Sequence, residues 1–182
     1  MIALYLFYYI CVYYICRIFK IKLNMITGKY PSLRLRRSRK SSWSRRLVSE
    51  NNLSPNDFIL PIFLIEGKNK TQPIKSMPGV SRYSINRLGT ILDRAIKNRI
   101  PMVALFPYTS SKLKDHLGSE ALNEDNLVCR ATKYIKNKYK NQIGIMCDVA
   151  LDPYTIHGHD GVLKSNYVMN DETIEILIQQ SL

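Results

Sequence analysis

The sequence predicts an α/β fold whose strands run parallel to one another. Three apolar runs with the character of buried strands, at 58–65, 102–106 and 143–151, alternate with segments of helical periodicity. Such alternation is typical of parallel sheets with right-handed crossover connections. No Gly-x-Gly-x-x-Gly or Gly-x-x-x-x-Gly-Lys motif follows the first run, which disfavours a nucleotide-binding sheet. On these patterns alone, a doubly wound sheet and a barrel are both open.

The strands are predicted from continuous apolar runs, which indicate burial on both faces. Pro61 interrupts the first run, and a proline removes one backbone donor from a sheet. A turn is predicted at 75–79. Three helices are predicted to begin after polar residues that can cap a first turn, namely Ser84, Asn123 and Asn170. Their apolar faces are formed by Ile85, Leu88, Ile91, Leu92, Ala95 and Ile96, by Leu127, Ala131, Tyr134 and Ile135, and by Ile174, Leu177 and Ile178.

The chain divides into three regions by composition: an apolar stretch at 1–24, a basic arm at 25–50 and a domain at 51–182. The first 16 residues carry no charge. Two interpretations of this stretch are open. It is a short membrane anchor, although about 20 apolar residues are needed to span a bilayer. Alternatively, translation begins at Met25 and the stretch does not belong to the native protein.

The basic arm carries most of the net charge of +13. The first 49 residues hold eleven basic residues and no acidic one, whereas the remainder holds 16 basic and 14 acidic residues. We expect an extended arm in which Trp43, Leu47 and Val48 begin a short helix. A basic arm indicates binding to nucleic acid, a membrane surface or an acidic partner subunit. No recognition helix, zinc finger or aromatic platform accompanies it, which disfavours nucleic acid.

The four cysteines, at 11, 16, 129 and 147, form no Cys-x-x-Cys pair. This usage is typical of a reduced, cytoplasmic protein. Cys129 and Cys147 are predicted to be small core residues.

The segment Asp148–Gly161 concentrates the polar chemistry of the sequence. It holds Asp148, Asp152 and Asp160 together with two histidines, and it follows the third predicted strand. In parallel α/β folds, the carboxyl ends of the strands carry the active site. Three interpretations are open: a site for a hard divalent cation, a carboxylate cluster that holds an ammonium group and moves protons, and loop scaffolding.

This segment closely resembles the metal-loop signature of the porphobilinogen synthases, which reads Asp-Val-Cys-Leu-Cys-x-Tyr-Thr-x-His-Gly-His-Cys-Gly in zinc-dependent members. The resemblance extends in order over four further blocks, from Arg34 to Leu182. These blocks are Arg34–Arg39 with Arg46–Glu50, Asp57–Phe63, Ser76–Val80 and Gly118–Asn123. The resemblance implies that the fold is the N-terminal half of a (β/α)8 TIM barrel preceded by an arm.

The resemblance also implies a reaction. Enzymes of this family are hydro-lyases that condense two molecules of 5-aminolevulinate to porphobilinogen with loss of water. Asp148 matches the family's active-site aspartate, and Asp152 and Asp160 complete the expected catalytic set. Two lysines form Schiff bases with the substrate in this family, and both match sequence beyond Leu182. The 182-residue chain alone is therefore expected to be inactive, and the exposed lysines Lys112, Lys114, Lys133, Lys136 and Lys138 are not expected to replace them.

The zinc ligands of the family are not carried over. Ala150, Asp152 and Asp160 stand at the three cysteine positions, as in the aspartate-type variant. Zinc is therefore not expected, and Asp152 and Asp160 are the candidate ligands of a harder ion such as Mg²⁺, unless Mg²⁺ acts allosterically outside this chain. The arm is expected to wrap a neighbouring barrel in a homo-octamer and not to bind nucleic acid. Two alternatives stay open: a catalytically inactive remnant, and a basic-arm binding protein on a half-barrel scaffold.

Overall fold

The computed structural model describes residues 28–182, which fall into two units divided after Asn51. The interpretations of 1–24 as an anchor or as an upstream artefact lie outside the described residues. The arm unit contains two short helices, α1 (Arg37–Lys40) and α2 (Ser42–Leu47). The helix predicted around Trp43 is thus confirmed. The expectation that the rest of the arm is extended is wrong at 37–40, because Ser44 Oγ donates to the Ser38 carbonyl and draws the chain into a turn.

The second unit is built on a five-stranded sheet with the order β2-β3-β1-β4-β5. Its strands are β1 (Ile59–Ile65), β2 (Thr71–Pro73), β3 (Ser81–Tyr83), β4 (Met102–Tyr108) and β5 (Gly144–Cys147). The central strands β1, β4 and β5 run parallel, as predicted, and β3 joins β1 in parallel as well. Pro61 lies within β1, opposite Ala104 of β4.

Two short antiparallel hairpins were not predicted. β2 pairs with β3 around the predicted turn at 75–79, and β6 (Val162–Lys164) pairs with β7 (Tyr167–Met169). Each strand has only three residues, too few to produce a readable alternation. The third parallel strand is also shorter than predicted, since β5 ends at Cys147 and 148–151 is already loop.

Three helices follow the strands: α3 (Leu88–Lys97), α4 (Leu127–Tyr139) and α5 (Asn170–Ser181). Among the described residues, no helix has both the length and the apolar character needed to cross a membrane. The apolar faces of α3 and α4 pack on one face of the sheet, against side chains of β1 and β4 that are almost fully buried. That face is the main core. The expectation of burial on both faces is wrong, because Ile59, Tyr108 and Met146 are between 42% and 52% exposed.

The predicted helix caps are wrong at all three positions. A one-turn 3-10 helix, Ile85–Arg87, precedes α3, and the Ser84 hydroxyl accepts a hydrogen bond from the Lys70 amide in place of a capping bond. Asn126 caps α4 by accepting from the Cys129 amide at 2.9 Å, whereas Asn123 accepts from the Asp125 amide in the turn before. Asn170 is the first residue of α5, and no side chain caps that helix.

Candidate functional site

The segment Asp148–Gly161 leaves the carboxyl end of β5, where the sequence placed it. A second loop, at 109–118, docks against it. The Asp115 amide donates to the Tyr154 carbonyl at 3.3 Å, and the Ile156 amide donates to the Asp115 carbonyl at 3.0 Å. Hydrogen bonds from Ser119 are the main cause that lowers the pKa of Asp115. Two loops from neighbouring strand ends therefore form one rim beside the sheet.

Buried side chains anchor the Asp148–Gly161 segment from below. Leu151 and Thr155 are essentially inaccessible, and Tyr154 is 4% exposed. The Thr155 hydroxyl donates to the His159 carbonyl at 2.9 Å, which closes the far end of the loop. Burial is the main cause that raises the pKa of Tyr154 above its usual range, so this phenol stays neutral. The scaffolding part of the segment is thus built from its apolar residues and Thr155.

The carboxylates stand apart from this buried layer. Asp148, Asp152 and Asp160 are all exposed. Partial burial is the main cause that raises the pKa of Asp152, and the negative charges of Asp160 and Asp148 raise it further. The charges of both other carboxylates thus act on Asp152, which makes it the candidate proton-transfer group of the three.

Asp160 differs from the other two in its contacts. Its Oδ1 atom accepts a hydrogen bond from the Leu151 amide at 2.7 Å. His157 is similarly engaged with the backbone. Its Nδ1 atom accepts from the His159 amide at 3.2 Å, and its Nε2 atom lies 3.3 Å from the His116 carbonyl.

These contacts do not fit a zinc site. Ala150 has no ligating atom and is 5% exposed, and both ring nitrogens of His157 already face backbone groups. Within residues 28–182, no three side chains of His, Cys, Asp or Glu gather in a way that could hold a metal ion.

The two cysteines of the second unit do not supply thiolate ligands to the cluster either. The Cys147 Sγ atom lies 3.6 Å from the Thr132 hydroxyl of α4, so it faces the helix layer. The prediction that both are core residues is wrong, because Cys129 is only half-buried and Cys147 is exposed.

Sequence reasoning missed several polar and aromatic groups near the carboxyl ends of the strands. Lys114 is only half-exposed, and its charge acts on the Asp152 carboxyl, so the expectation of a fully solvated lysine is wrong there. On the sheet face opposite to the helices, the Phe63 and Phe106 rings lie 5.7 Å apart, and the Arg82 guanidinium stacks 4.4 Å from the centre of the Tyr108 ring. Only the strand register brings Arg82 and Tyr108 together, one on either side of β1.

Comparison with known proteins agrees with this architecture. Residues 32–182 match the family model described as delta-aminolevulinic acid dehydratase. The enzyme of that name from Bradyrhizobium diazoefficiens is 50% identical over 151 residues, which are 83% of this chain and 42% of the relative. The enzyme from Chlamydia pneumoniae is 41% identical over 80% of this chain and 43% of its own length.

A solved structure gives the same result for the fold. The delta-aminolevulinic acid dehydratase (porphobilinogen synthase) of Toxoplasma gondii ME49, crystallised with its reaction product porphobilinogen, superposes with a TM-score of 0.74. It is 37% identical, and the match covers 82% of this chain and 42% of that structure. The chain thus spans less than half the length of the relatives it matches. Over that span, family model, sequence identity and fold agree, and the chain belongs to the delta-aminolevulinic acid dehydratase family.

Proposed function

We propose that this chain forms the N-terminal part of a porphobilinogen synthase, a hydro-lyase that condenses two molecules of 5-aminolevulinate to porphobilinogen with loss of water. The observation that carries the proposal is the carboxylate cluster on the rim at the carboxyl end of β5. The sheet then corresponds to the N-terminal half of a (β/α)8 barrel. Its open face, with Phe63, Phe106, Arg82 and Tyr108, corresponds to the barrel interior.

Within this proposal, Asp148 and Asp152 are the catalytic carboxylates and Asp160 is the third member of the cluster. 5-Aminolevulinate carries an ammonium group, which exposed carboxylates bind by charge and hydrogen bonding. The raised pKa of Asp152 brings its proton affinity closer to that required of an acid–base group at neutral pH. The Schiff-base lysines that the family uses would be supplied by later strands of the barrel.

The proposed enzyme does not depend on zinc. Asp152 and Asp160 offer oxygen ligands, which suit Mg²⁺ better than zinc, but one oxygen of Asp160 is already bound to the Leu151 amide. Mg²⁺ is therefore proposed to act allosterically, outside residues 28–182.

The arm is proposed to serve assembly. The described arm residues are rich in arginine, and Glu50 is their one acidic residue. In a homo-octamer such an arm would wrap the neighbouring barrel of a cytoplasmic enzyme, and no nucleic acid is required. The division of the chain into an apolar stretch at 1–24, an arm at 25–50 and a partial barrel domain at 51–182 is part of this proposal.

A chimera tests the proposal. The chain, from residue 32 to Leu182, is joined to the part of the Bradyrhizobium diazoefficiens relative that follows its matched segment. We expect this complete barrel to form porphobilinogen from 5-aminolevulinate. The 182-residue chain alone should form no product and no borohydride-trapped adduct. A soluble, folded chimera that makes no porphobilinogen would contradict the proposal, as would an adduct on a lysine of the isolated chain.

A further inference from the structure

The peptide group that joins Ala150 to Leu151 is held from both sides by side chains distant in sequence. Its N–H donates to the Asp160 Oδ1 atom at 2.7 Å, and its C=O accepts from the Gln180 Nε2 atom of α5 at 3.2 Å. In a trans peptide these two groups point in opposite directions. The two hydrogen bonds therefore fix the plane of this one peptide, which we call the clamped peptide.

Burial makes both bonds necessary. Ala150 is 5% exposed and Leu151 is fully buried, so water has little access to the clamped peptide. A buried backbone group without a partner is costly, and the charged acceptor makes the Asp160 bond the stronger of the two. The Gln180 Oε1 atom is itself buried and has no partner among the described residues. The hydrogen bond that the Gln180 Nε2 atom donates to the Ala150 carbonyl is therefore the contact that orients this side-chain amide.

The position of the clamped peptide gives it a role at the site. Asp148 lies two residues before Ala150, and Asp152 directly follows Leu151. The next carbonyl, that of Leu151, is held by the Tyr154 and Thr155 amides at 2.8 and 3.0 Å, so the Ala150–Leu151 peptide is the link between Asp148 and Asp152 that depends on side chains. A rotation of this peptide plane would alter the spacing of Asp152 from Asp148.

We propose that Asp160 and Gln180 are positioning residues, which hold the Ala150–Leu151 peptide and thereby place the catalytic carboxylates Asp148 and Asp152. The role at the reaction rests on the proposed function, whereas the clamp itself does not. In this proposal, Asp160 binds the Leu151 backbone amide and does not bind substrate or metal. It also couples the loop to α5, whose Gln180 lies 30 residues away in sequence.

Hydrogen exchange at the Leu151 amide, measured by mass spectrometry with single-residue fragmentation on the full 182-residue chain, tests the clamp. We expect Asp160→Ala to accelerate this exchange by roughly tenfold or more, because a bond to a charged acceptor is lost. Asp160→Asn keeps an acceptor oxygen and should restore most of the protection. Gln180→Ala should also accelerate exchange, whereas Gln179→Ala, the same change on the exposed neighbour, should not. Unchanged exchange in β1 shows that each variant is folded.

Kinetics of the chimera test the consequence. We expect Asp160→Ala and Gln180→Ala to lower kcat more than they raise KM, and Asp160→Asn to recover most of the lost kcat. Because both side chains hold one peptide, the double variant Asp160→Ala/Gln180→Ala should lose less than the product of the single losses.

The proposal is overturned if Asp160→Asn is as slow as Asp160→Ala while Leu151 stays protected, since Asp160 would then act through its charge. It is also overturned if Leu151 exchanges at the wild-type rate in Asp160→Ala. A parent chimera without activity would instead contradict the proposed function and leave the exchange result standing.

Discussion

The two faces of the parallel sheet have similar composition but different surroundings. On the helix-facing side, Ile62 and Leu64 of β1 and Val103 and Leu105 of β4 are at most 1% exposed. On the other side, Ile59 is 46% exposed and Met146 is 42% exposed. The difference shows that alternate residues of one apolar strand lie in two different environments. One face supplies the core of the described unit, and the other forms the open surface that leads to the carboxylate rim.

The open face becomes more aromatic and more polar towards the carboxyl ends of the strands. It begins with Ile59 at the amino end of β1, continues through the Phe63–Phe106 pair and reaches the stacked Arg82 and Tyr108. Parallel folds place their active sites at this end because every strand delivers its following loop there. The comparison therefore separates residues that stabilise the fold from residues that we propose to serve the site.

The largest expected effect is on stability, within a single strand. Ile62→Ala removes a fully buried side chain from the core and should lower the free energy of unfolding by about 2–5 kcal/mol. Ile59→Ala makes the same chemical change on the open face and should cost less than about 1 kcal/mol. Urea denaturation of both variants at low protein concentration measures the difference. Equal losses at the two positions would show that the open face is buried in solution.

The second expected effect is on catalysis. In the chimera, Asp152→Ala should lower kcat by at least ~10²-fold, the scale of losing an acid–base group, and leave the urea midpoint nearly unchanged. Asp125→Ala is a matched control, because Asp125 is exposed and its carboxylate forms a surface ion pair with Lys133, at 3.4 Å. Full activity of the Asp152 variant would favour the scaffolding interpretation of the loop.

The elements of the sheet could be predicted because their signals are local. Continuous apolar runs identified β1, β4 and β5, and the concentration of Asp and His identified the rim loop. The cap of α4 was predicted at the wrong residue for an equally local reason. Asn123 and Asn126 have the same chemistry, and the 3-10 turn Ser119–Leu122 leaves Asn126 as the residue at the start of α4.

Contacts between distant segments could not be predicted. Arg82 meets Tyr108 only through the register of β3 and β4 on β1. Gln180 reaches the Ala150 carbonyl across 30 residues, and nothing in its helix distinguishes it from Gln179. The sequence thus predicted where the candidate loop lies, at the carboxyl end of β5, and not which side chains hold it in place.

A smaller effect follows from the charge of the carboxylate cluster. Burial, together with Asp160 and Asp148, raises the pKa of Asp152 above the ordinary value of 3.8. An acid with a raised pKa binds more protons in the folded state, so its contribution to stability falls as the pH rises from that value through the folded pKa. Asp152→Asn removes this penalty and should stabilise the chain at neutral pH by less than about 1 kcal/mol, because the carboxyl is largely solvated and screened.

Urea denaturation at several pH values measures this effect. The gain should vanish at a pH below 3.8, where the wild-type carboxyl is already neutral. Asp125→Asn should give no such gain. A variant Asp152→Asn that is less stable than the wild type at neutral pH would show that the carboxylate is favoured in the fold, contrary to the raised pKa.

The smallest expected effect is that of zinc removal, which should leave the activity of the chimera intact. Ala150 offers no ligand, Asp160 is bound to the Leu151 amide, and Cys147 faces Thr132 on the helix side of the sheet. His157 does not complete a site, because both its ring nitrogens contact the backbone. A zinc-selective chelator tests this, with a zinc-dependent member of the family as the positive control. Loss of activity that Zn²⁺ alone restores would mean that the carboxylate rim rearranges around a metal, and the assignment of Asp152 as a metal-free acid–base group would be wrong.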